Sequence, residues 1–119
     1  MKIFMICPVR NAAPQMRENI LAEVEHLESL GHSVHYPARD TKQDDPTGLS
    51  ICKANRAAIE AADEIHVIWD GESTGSIFDL GVAFALRKKV VPVVGRFPRM
   101  SNGKSIQNMV YDWQENGAG

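Results

Sequence analysis

Short apolar runs alternate with longer segments of helical periodicity, and this alternation constrains the fold more than any other feature of the sequence. The apolar runs predict four strands, over residues 3–6, 33–36, 65–69 and 90–94. Apolar residues at helical spacing predict helices over residues 14–30, 50–62 and 77–86, and a last helix after residue 103 that runs to about residue 113. The polar stretches 39–48 and 70–75 predict loops, and residues 117–119 predict a loose end.

Strands that alternate with helices predict an α/β fold in which a parallel sheet carries helices on both faces. We expect residues 1–119 to form one flavodoxin-like or Rossmann-like domain of four to five strands in the order 2-1-3-4-5. Pro92 lies within the fourth strand and has no amide hydrogen for a neighbouring strand. That strand is therefore expected at an edge of the sheet or in an irregular position.

Composition excludes several classes of protein. A chain of 119 residues has the length of one domain, and its net charge of −2 lacks the basic excess typical of proteins that bind nucleic acid polymers. The apolar run over residues 3–9 is too short to span a membrane, and neither a basic leader region nor a cleavage site surrounds it. Cys7 and Cys52 form no metal or redox motif. We expect a reduced, soluble, cytoplasmic domain without a metal.

The predicted topology indicates where a ligand would bind. In open parallel sheets, ligands lie outside the carboxyl ends of the strands, at the point where the strand order reverses. In the order 2-1-3-4 this point lies between strands one and three. The candidate loops are therefore residues 7–11, which end in Arg10 and Asn11, and residues 70–79.

The second of these loops has the composition of an anion site. Ser73, Thr74 and Ser76 are candidates to cap the following helix, and the amides of that helix attract phosphate. Gly75 would let a ligand approach the backbone closely. Plain helix capping is the alternative interpretation, because the loop matches neither a Walker P-loop nor a Gly-x-Gly-x-x-Gly motif.

Other candidates are single side chains. Asp79 lies one turn into the third helix among apolar neighbours, where it is either a nucleophile or base, or a surface acid. Arg10 suits bidentate contact with phosphate, or is simply solvated. Asn55 would bind a sugar or base only if its helix face points to the crevice. His35 ends the second strand on the ligand side, and Trp69 either walls a base pocket or packs in the core.

Residues 73–86, STGSIFDLGVAFAL, resemble the Gly-x-x-(aromatic)-Glu-Leu-Gly-x-Ala signature of the nucleoside 2-deoxyribosyltransferase family, which includes N-glycosidases of nucleoside 5′-monophosphates. Residues 4–11 resemble the opening strand and loop of that family, and residues 61–65, AADEI, resemble its entry to the third strand. The resemblance covers about residues 2–95.

The resemblance implies a parallel sheet and a two-step reaction at the anomeric carbon of the sugar, in which a carboxylate displaces the base and forms a covalent sugar–enzyme intermediate. By position, Asp79 corresponds to the nucleophile and Asn55 to an aspartate that assists the base or the sugar. Arg10, Asn11, Ser73 and the amides of Gly75 and Ser76 would form a 5′-phosphate site. The substrate would be a small nucleoside or nucleotide, with no cofactor and no metal.

Two residues depart from the family pattern. Asp79 is shorter than the usual glutamate by a methylene, and Asn55 is unable to transfer a proton as an aspartate does. These departures motivate an alternative to the enzyme, a nucleotide-binding or nucleotide-sensing module with little or no catalysis. A third interpretation is an unrelated flavodoxin-like domain, such as a receiver, although no acidic cluster follows the first strand.

The resemblance also implies a homodimer or a higher homo-oligomer, because family members commonly pair so that a neighbour completes the pocket. The apolar third helix, residues 77–86, and the stretch that holds Met109, Tyr111 and Trp113 are the expected contact.

Overall fold

The computed structural model describes residues 1–119 as one sheet with five helices. The strands are β1 (Lys2–Ile6), β2 (Ser33–His35), β3 (Glu64–Val67) and β4 (Lys89–Pro92). The helices are α1 (Pro14–Ser29), α2 (Pro37–Asp40), α3 (Leu49–Ala61), α4 (Thr74–Ala85) and α5 (Ile106–Asn116). Each predicted strand and helix is present.

The strands are all parallel and lie in the order β2-β1-β3-β4. In the register of this sheet, Ile3 of β1 lies beside Val34 and Glu64. The predicted parallel α/β fold and the reversal of strand order between β1 and β3 are confirmed. The sheet has four strands, the lower of the two predicted numbers. The chain after β4 forms α5 instead of a fifth strand, because its apolar residues follow helical spacing.

Helices cover both faces of the sheet because side chains alternate along each strand. Ile3 and Met5 pack with Ile20, Val24 and Leu27 of α1 on one face. The other face packs against α3, α4 and α5 through a second cluster, which includes Phe4, Ile6, Ile65, Val67, Ile59, Leu80 and Val110. The loops after β1 and β3 are therefore held at one end of a sheet packed on both sides.

Pro92 lies at the last position of β4, and β4 is an edge strand, as its proline predicts. The amide of Val93 donates to the carbonyl of Val67 over 3.0 Å. Because successive residues of a strand direct their amides to opposite sides, the nitrogen of Pro92 faces the open edge. The proline thus costs the sheet no hydrogen bond.

Several element boundaries differ from the sequence prediction, and three of them lie near the predicted loops. The segment predicted as a loop from residue 39 begins inside a short helix, α2, because Pro37 starts that helix and the Asp40 carboxylate accepts from the amide of Tyr36 over 2.8 Å. The third strand ends at Val67. Helix α4 begins at Thr74, so that Gly75 and Ser76 lie in its first turn.

Candidate active site

Asp79 lies in the second turn of α4, half-buried, and its carboxylate is close to the amide of Asn55. The Asn55 Nδ2 donates to Asp79 Oδ2 over a long 3.4 Å. Burial raises the pKa of Asp79 to about 6, and the hydrogen bond from Asn55 opposes this rise. Asp79 is therefore a carboxyl group that gains or loses its proton closer to neutral pH than a fully solvated surface acid does.

Asn55 lies on the buried face of α3, with only 5% of its surface exposed. Its Oδ1 accepts a hydrogen bond of 2.7 Å from the hydroxyl of Thr41, and Thr41 is linked to Nε2 of His35 over 2.8 Å. His35, Thr41, Asn55 and Asp79 thus form one hydrogen-bonded chain. Sequence reasoning missed Thr41, because a threonine in a polar segment carries no signal of burial.

His35 lies at the end of β2, on the predicted side of the sheet, and its ring stacks on Phe4 with the ring centres 5.3 Å apart. Burial lowers the pKa of His35; the charge of Asp40 works against this shift and that of Arg39 adds to it. At neutral pH the imidazole is therefore uncharged, and its Nε2 is already engaged with Thr41.

The loop between β3 and α4 is held by its own hydrogen bonds. The Asp70 Oδ1 accepts from the amides of Glu72 and Ser73, both over 2.8 Å. The indole nitrogen of Trp69 donates to the carbonyl of Ser73 over 3.1 Å, while its ring packs against the core. Trp69 therefore fixes the start of α4.

Ser73 is the N-cap of α4. Its Oγ accepts from the amide of Ser76 over 3.2 Å and from the hydroxyl of Ser76 over 3.0 Å. Because a hydroxyl has two lone pairs and one hydrogen, these bonds leave the hydrogen of Ser73 free to donate. The amide and the hydroxyl of the buried Ser76 are thus engaged with Ser73, whereas the amide of the exposed Gly75 has no acceptor within the chain.

Arg10 and Asn11 lie in the loop after β1, and both are exposed. Asn11 adopts a left-handed backbone conformation with φ of 62°, which asparagine tolerates better than most residues. Arg10 forms no ion pair within the chain. The guanidinium is therefore available to a ligand at the carboxyl end of the sheet.

Two thiols lie near Asp79. Burial raises the pKa of Cys7 to about 12, and the charge of Asp79 adds to this rise. The pKa of the partly exposed Cys52 on α3 is raised by the same two causes, with a further contribution from Asp45. Neither thiol is ionised at neutral pH, so Asp79 is the one anionic group of the three. No cluster of three or more His, Cys, Asp or Glu residues is arranged to hold a metal ion.

No helix has both the length and the apolar character that crossing a membrane requires.

The chain is similar to solved enzyme structures. A 2-deoxyribosyltransferase from Bacillus psychrosaccharolyticus has a TM-score of 0.71 and 23% identity, over 94% of this chain and 81% of that one. A CMP N-glycosidase from Clostridium botulinum has a TM-score of 0.59 and 19% identity, with the same coverage. At these identities the likeness shows the fold.

A search of curated proteins gives no match. Residues 7–115 match the sequence family described as nucleoside 2-deoxyribosyltransferase. This match covers nearly the whole chain and agrees with the resemblance carried by residues 73–86. The chain belongs to the nucleoside 2-deoxyribosyltransferase family.

Proposed function

We propose that this protein cleaves or transfers the N-glycosidic bond of a nucleoside, with a preference for 5′-monophosphates, and that Asp79 is the nucleophile. The observation that carries the proposal is the half-buried carboxylate of Asp79, paired with Asn55 at the carboxyl end of the sheet. The two similar structures supply the precedent, one a deoxyribosyltransferase and the other a CMP N-glycosidase.

The proposed reaction has two steps. The Asp79 carboxylate bonds to the anomeric carbon as the bond from that carbon to the base nitrogen breaks, and the base takes up a proton from solvent as it leaves. Water, or the nitrogen of a second base, then attacks the same carbon and releases the carboxylate, as in retaining glycosidases. Asn55 transfers no proton, since an amide is not acidic in this range; it stabilises the ionised carboxylate by hydrogen bonding.

The start of α4 supports a phosphate site. The free hydrogen of Ser73, the unpaired amide of Gly75 and the positive end of the helix dipole all favour an anion. Arg10 and Asn11, on the neighbouring loop after β1, would complete the site. His35 and Trp69 would contact the substrate less directly, because Nε2 of His35 is engaged with Thr41 and Nε1 of Trp69 with Ser73.

The direct test is release of free base from a panel of nucleosides and 5′-monophosphates, each with and without a second base, followed by chromatography. We expect release from monophosphates without an acceptor. Exchange that depends on the acceptor would make the protein a transferase instead. If ligands bind to folded protein but no base is released from any compound, the protein is a nucleotide-binding module and the proposal fails.

A glycine pair in α4 tests the phosphate site. A methyl group added at Gly75 or at Gly81 meets no atom within 4 Å beyond the adjacent residues and the backbone of its own helix. Both Gly75→Ala and Gly81→Ala should therefore raise the free energy of unfolding by about 0.5–1 kcal/mol, because alanine favours helix. Only Gly75→Ala should weaken monophosphate binding, by about 10-fold, since its methyl group lies beside the proposed anion.

Isothermal titration calorimetry and thermal melts of both variants make this measurement. Equal monophosphate affinity in the two variants would place the phosphate away from Gly75.

We further propose that the protein forms a homodimer through α4 and α5. Phe78 and Phe84 of α4 are about half exposed, and Met109 of α5 is 39% exposed. The ring of Phe84 packs edge-on against the buried Trp113, which holds Phe84 in place at the surface of α4. A second copy of this chain is the occupant that the family resemblance implies.

Substitution of a single exposed residue tests the dimer. Phe84→Glu should yield a folded monomer in size-exclusion chromatography with light scattering, because a charge is costly in an apolar contact. Leu21→Glu, on the exposed side of α1 with 44% exposure, is the matched control and should stay dimeric. A wild-type monomer at high concentration would refute the dimer.

We also propose that the protein is located in the cytoplasm. Cys7 and Cys52 form no disulfide, which suits a reducing compartment.

A further inference from the structure

Thr41 lies at the junction of the active-site chain of hydrogen bonds, although it belongs to no strand or helix. It is the first residue after α2, and only 5% of its surface is exposed. Its hydroxyl contacts His35 on one side over 2.8 Å and Asn55 on the other over 2.7 Å. No other side chain links β2 to the partner of Asp79.

We propose that Thr41 is a positioning residue, whose hydroxyl, held by His35, fixes the side-chain amide of Asn55 with its NH2 group toward Asp79. The inference rests on the proposed function of Asp79 as the nucleophile. It assigns a role to a segment, α2 and the residue after it, that the reaction itself does not use.

While Asp79 is ionised, the hydrogen-bonded series His35, Thr41, Asn55 and Asp79 has a single consistent arrangement of donors and acceptors. A carboxylate only accepts, so the NH2 group of Asn55 faces Asp79 and the carbonyl Oδ1 faces Thr41. The single hydrogen of the Thr41 hydroxyl then goes to Oδ1. Its oxygen is left to accept from His35, which requires the tautomer with hydrogen on Nε2.

If the Asn55 amide were turned over, Oδ1 would face the carboxylate and repel it. The Thr41 hydroxyl would then accept from Nδ2, and its hydrogen would lose the acceptor that Oδ1 supplies. The stacking of the His35 ring on Phe4 and its loss of charge on burial hold the imidazole as a neutral, oriented partner. The orientation of Asn55 with its NH2 group toward Asp79 is therefore the one in which every donor and acceptor of this hydrogen-bonded chain is satisfied.

The backbone around Thr41 is fixed from several directions. The amide of Thr41 donates to the carbonyl of Pro37 over 3.0 Å, and the Gln43 side chain donates to the carbonyls of Pro37 and Thr41 over 2.9 and 3.0 Å. Arg39 donates to the carbonyl of Val34 over 2.8 Å and pairs with Asp40. These bonds attach the segment firmly to the end of β2.

The proposed role predicts an electrostatic effect at Asp79. The titratable groups near Asp79 are the thiols of Cys7 and Cys52, and both are neutral at neutral pH. Around His35, the charges of Arg39 and Asp40 oppose one another. The oriented amide of Asn55 is thus the main group that favours the ionised form of Asp79, and freeing that amide should raise the pKa of Asp79 further.

The experiment compares Thr41→Val, which keeps the shape and removes the hydroxyl, with Thr41→Ser, which keeps the hydroxyl. Carbon-13 NMR titration of the ligand-free protein reports the pKa of Asp79. We expect a rise of about one unit in Thr41→Val and little change in Thr41→Ser. In base release, Thr41→Val should lower kcat about 10-fold with KM nearly unchanged, and should shift the acid limb of the pH profile upward.

An unchanged pKa of Asp79 in a folded Thr41→Val variant would overturn the positioning role, whatever the activity. If wild-type protein releases no base but the pKa still moves, the positioning role holds and the proposed function fails. Should Thr41→Val not fold, His35→Phe interrupts the same chain while keeping a ring against Phe4. The same rise in pKa is expected there, and its absence would refute the role equally.

Discussion

Asp79→Asn is expected to abolish base release and, in the same protein, to raise the free energy of unfolding. The amide replaces the nucleophile with a group that does not attack the anomeric carbon, so kcat should fall on the order of 10³-fold or more. Stability should rise because the native structure holds a carboxyl group whose pKa is about 6 rather than the ordinary 3.8. At pH 7.5 the half-buried ionised group therefore costs stability, on the order of 1–3 kcal/mol.

The pH dependence has a definite sign. Because the folded-state pKa of Asp79 lies above its unfolded value, the folded protein binds more protons between about pH 4 and pH 6. The contribution of Asp79 to stability therefore falls as the pH rises through this window and is constant above it. Base release should show the opposite trend and increase with pH as the carboxylate ionises.

Urea unfolding of wild type and Asp79→Asn across this pH range gives the difference between their free energies of unfolding. The contributions of the other carboxyl groups cancel in this difference, which therefore reports Asp79 alone. Asp44→Asn is the matched control, since Asp44 is exposed and its removal should change neither quantity. A stability difference that does not grow between pH 4 and pH 6, or a variant that retains activity, would remove Asp79 from the proposed role.

Ser73→Asp is expected to convert a preference for monophosphates into a preference for unphosphorylated nucleosides. The substitution removes the free hydrogen of Ser73 and places a negative charge beside the substrate phosphate. We expect kcat/KM for 5′-monophosphates to fall about 100-fold, the size of a lost hydrogen bond to a charged group plus repulsion between like charges. Values for nucleosides should change only a few-fold.

The fold should tolerate this change, because aspartate caps a helix as well as serine does and its charge suits the helix N-terminus. The chain supplies a matched control in Ser105, which caps α5 by accepting from the amide of Asn108 over 2.9 Å. Ser105→Asp should leave both activities unchanged. Equal losses on nucleosides and monophosphates in Ser73→Asp would indicate that Ser73 acts on the reaction rather than on the phosphate.

Local patterns in the sequence were enough to predict the fold and much of the candidate site. Apolar β-branched runs, proline positions and helical spacing predicted each main element, and the predicted order of strands placed the reversal of strand order between β1 and β3. The signature around Asp79 then identified the family. These features depend on neighbours along the chain, which is why sequence reasoning reached them.

The parts of the fold and of the candidate site that the sequence did not predict depend on contacts between distant segments. Helical spacing did not reveal which face of α3 carries Asn55, because apolar and small residues surround the helix on several sides. The short helix α2 is stabilised by its own side-chain hydrogen bonds, through Arg39 and Asp40, rather than by an apolar pattern. The link from His35 through Thr41 joins two polar groups that are individually unremarkable in sequence, so only the folded arrangement shows it.

The proline at the end of β4 also affects whether strands of other molecules are able to add to this edge of the sheet. An open sheet edge exposes unpaired amides and carbonyls, which invite strands of other molecules to add to it. At this edge the outward position is occupied by Pro92, which has no amide hydrogen, and the opposite edge is formed by β2 with only three residues. Uncontrolled growth by strand addition is therefore disfavoured at both edges of the sheet, which leaves the helices α4 and α5 as the surface for the dimer that we propose.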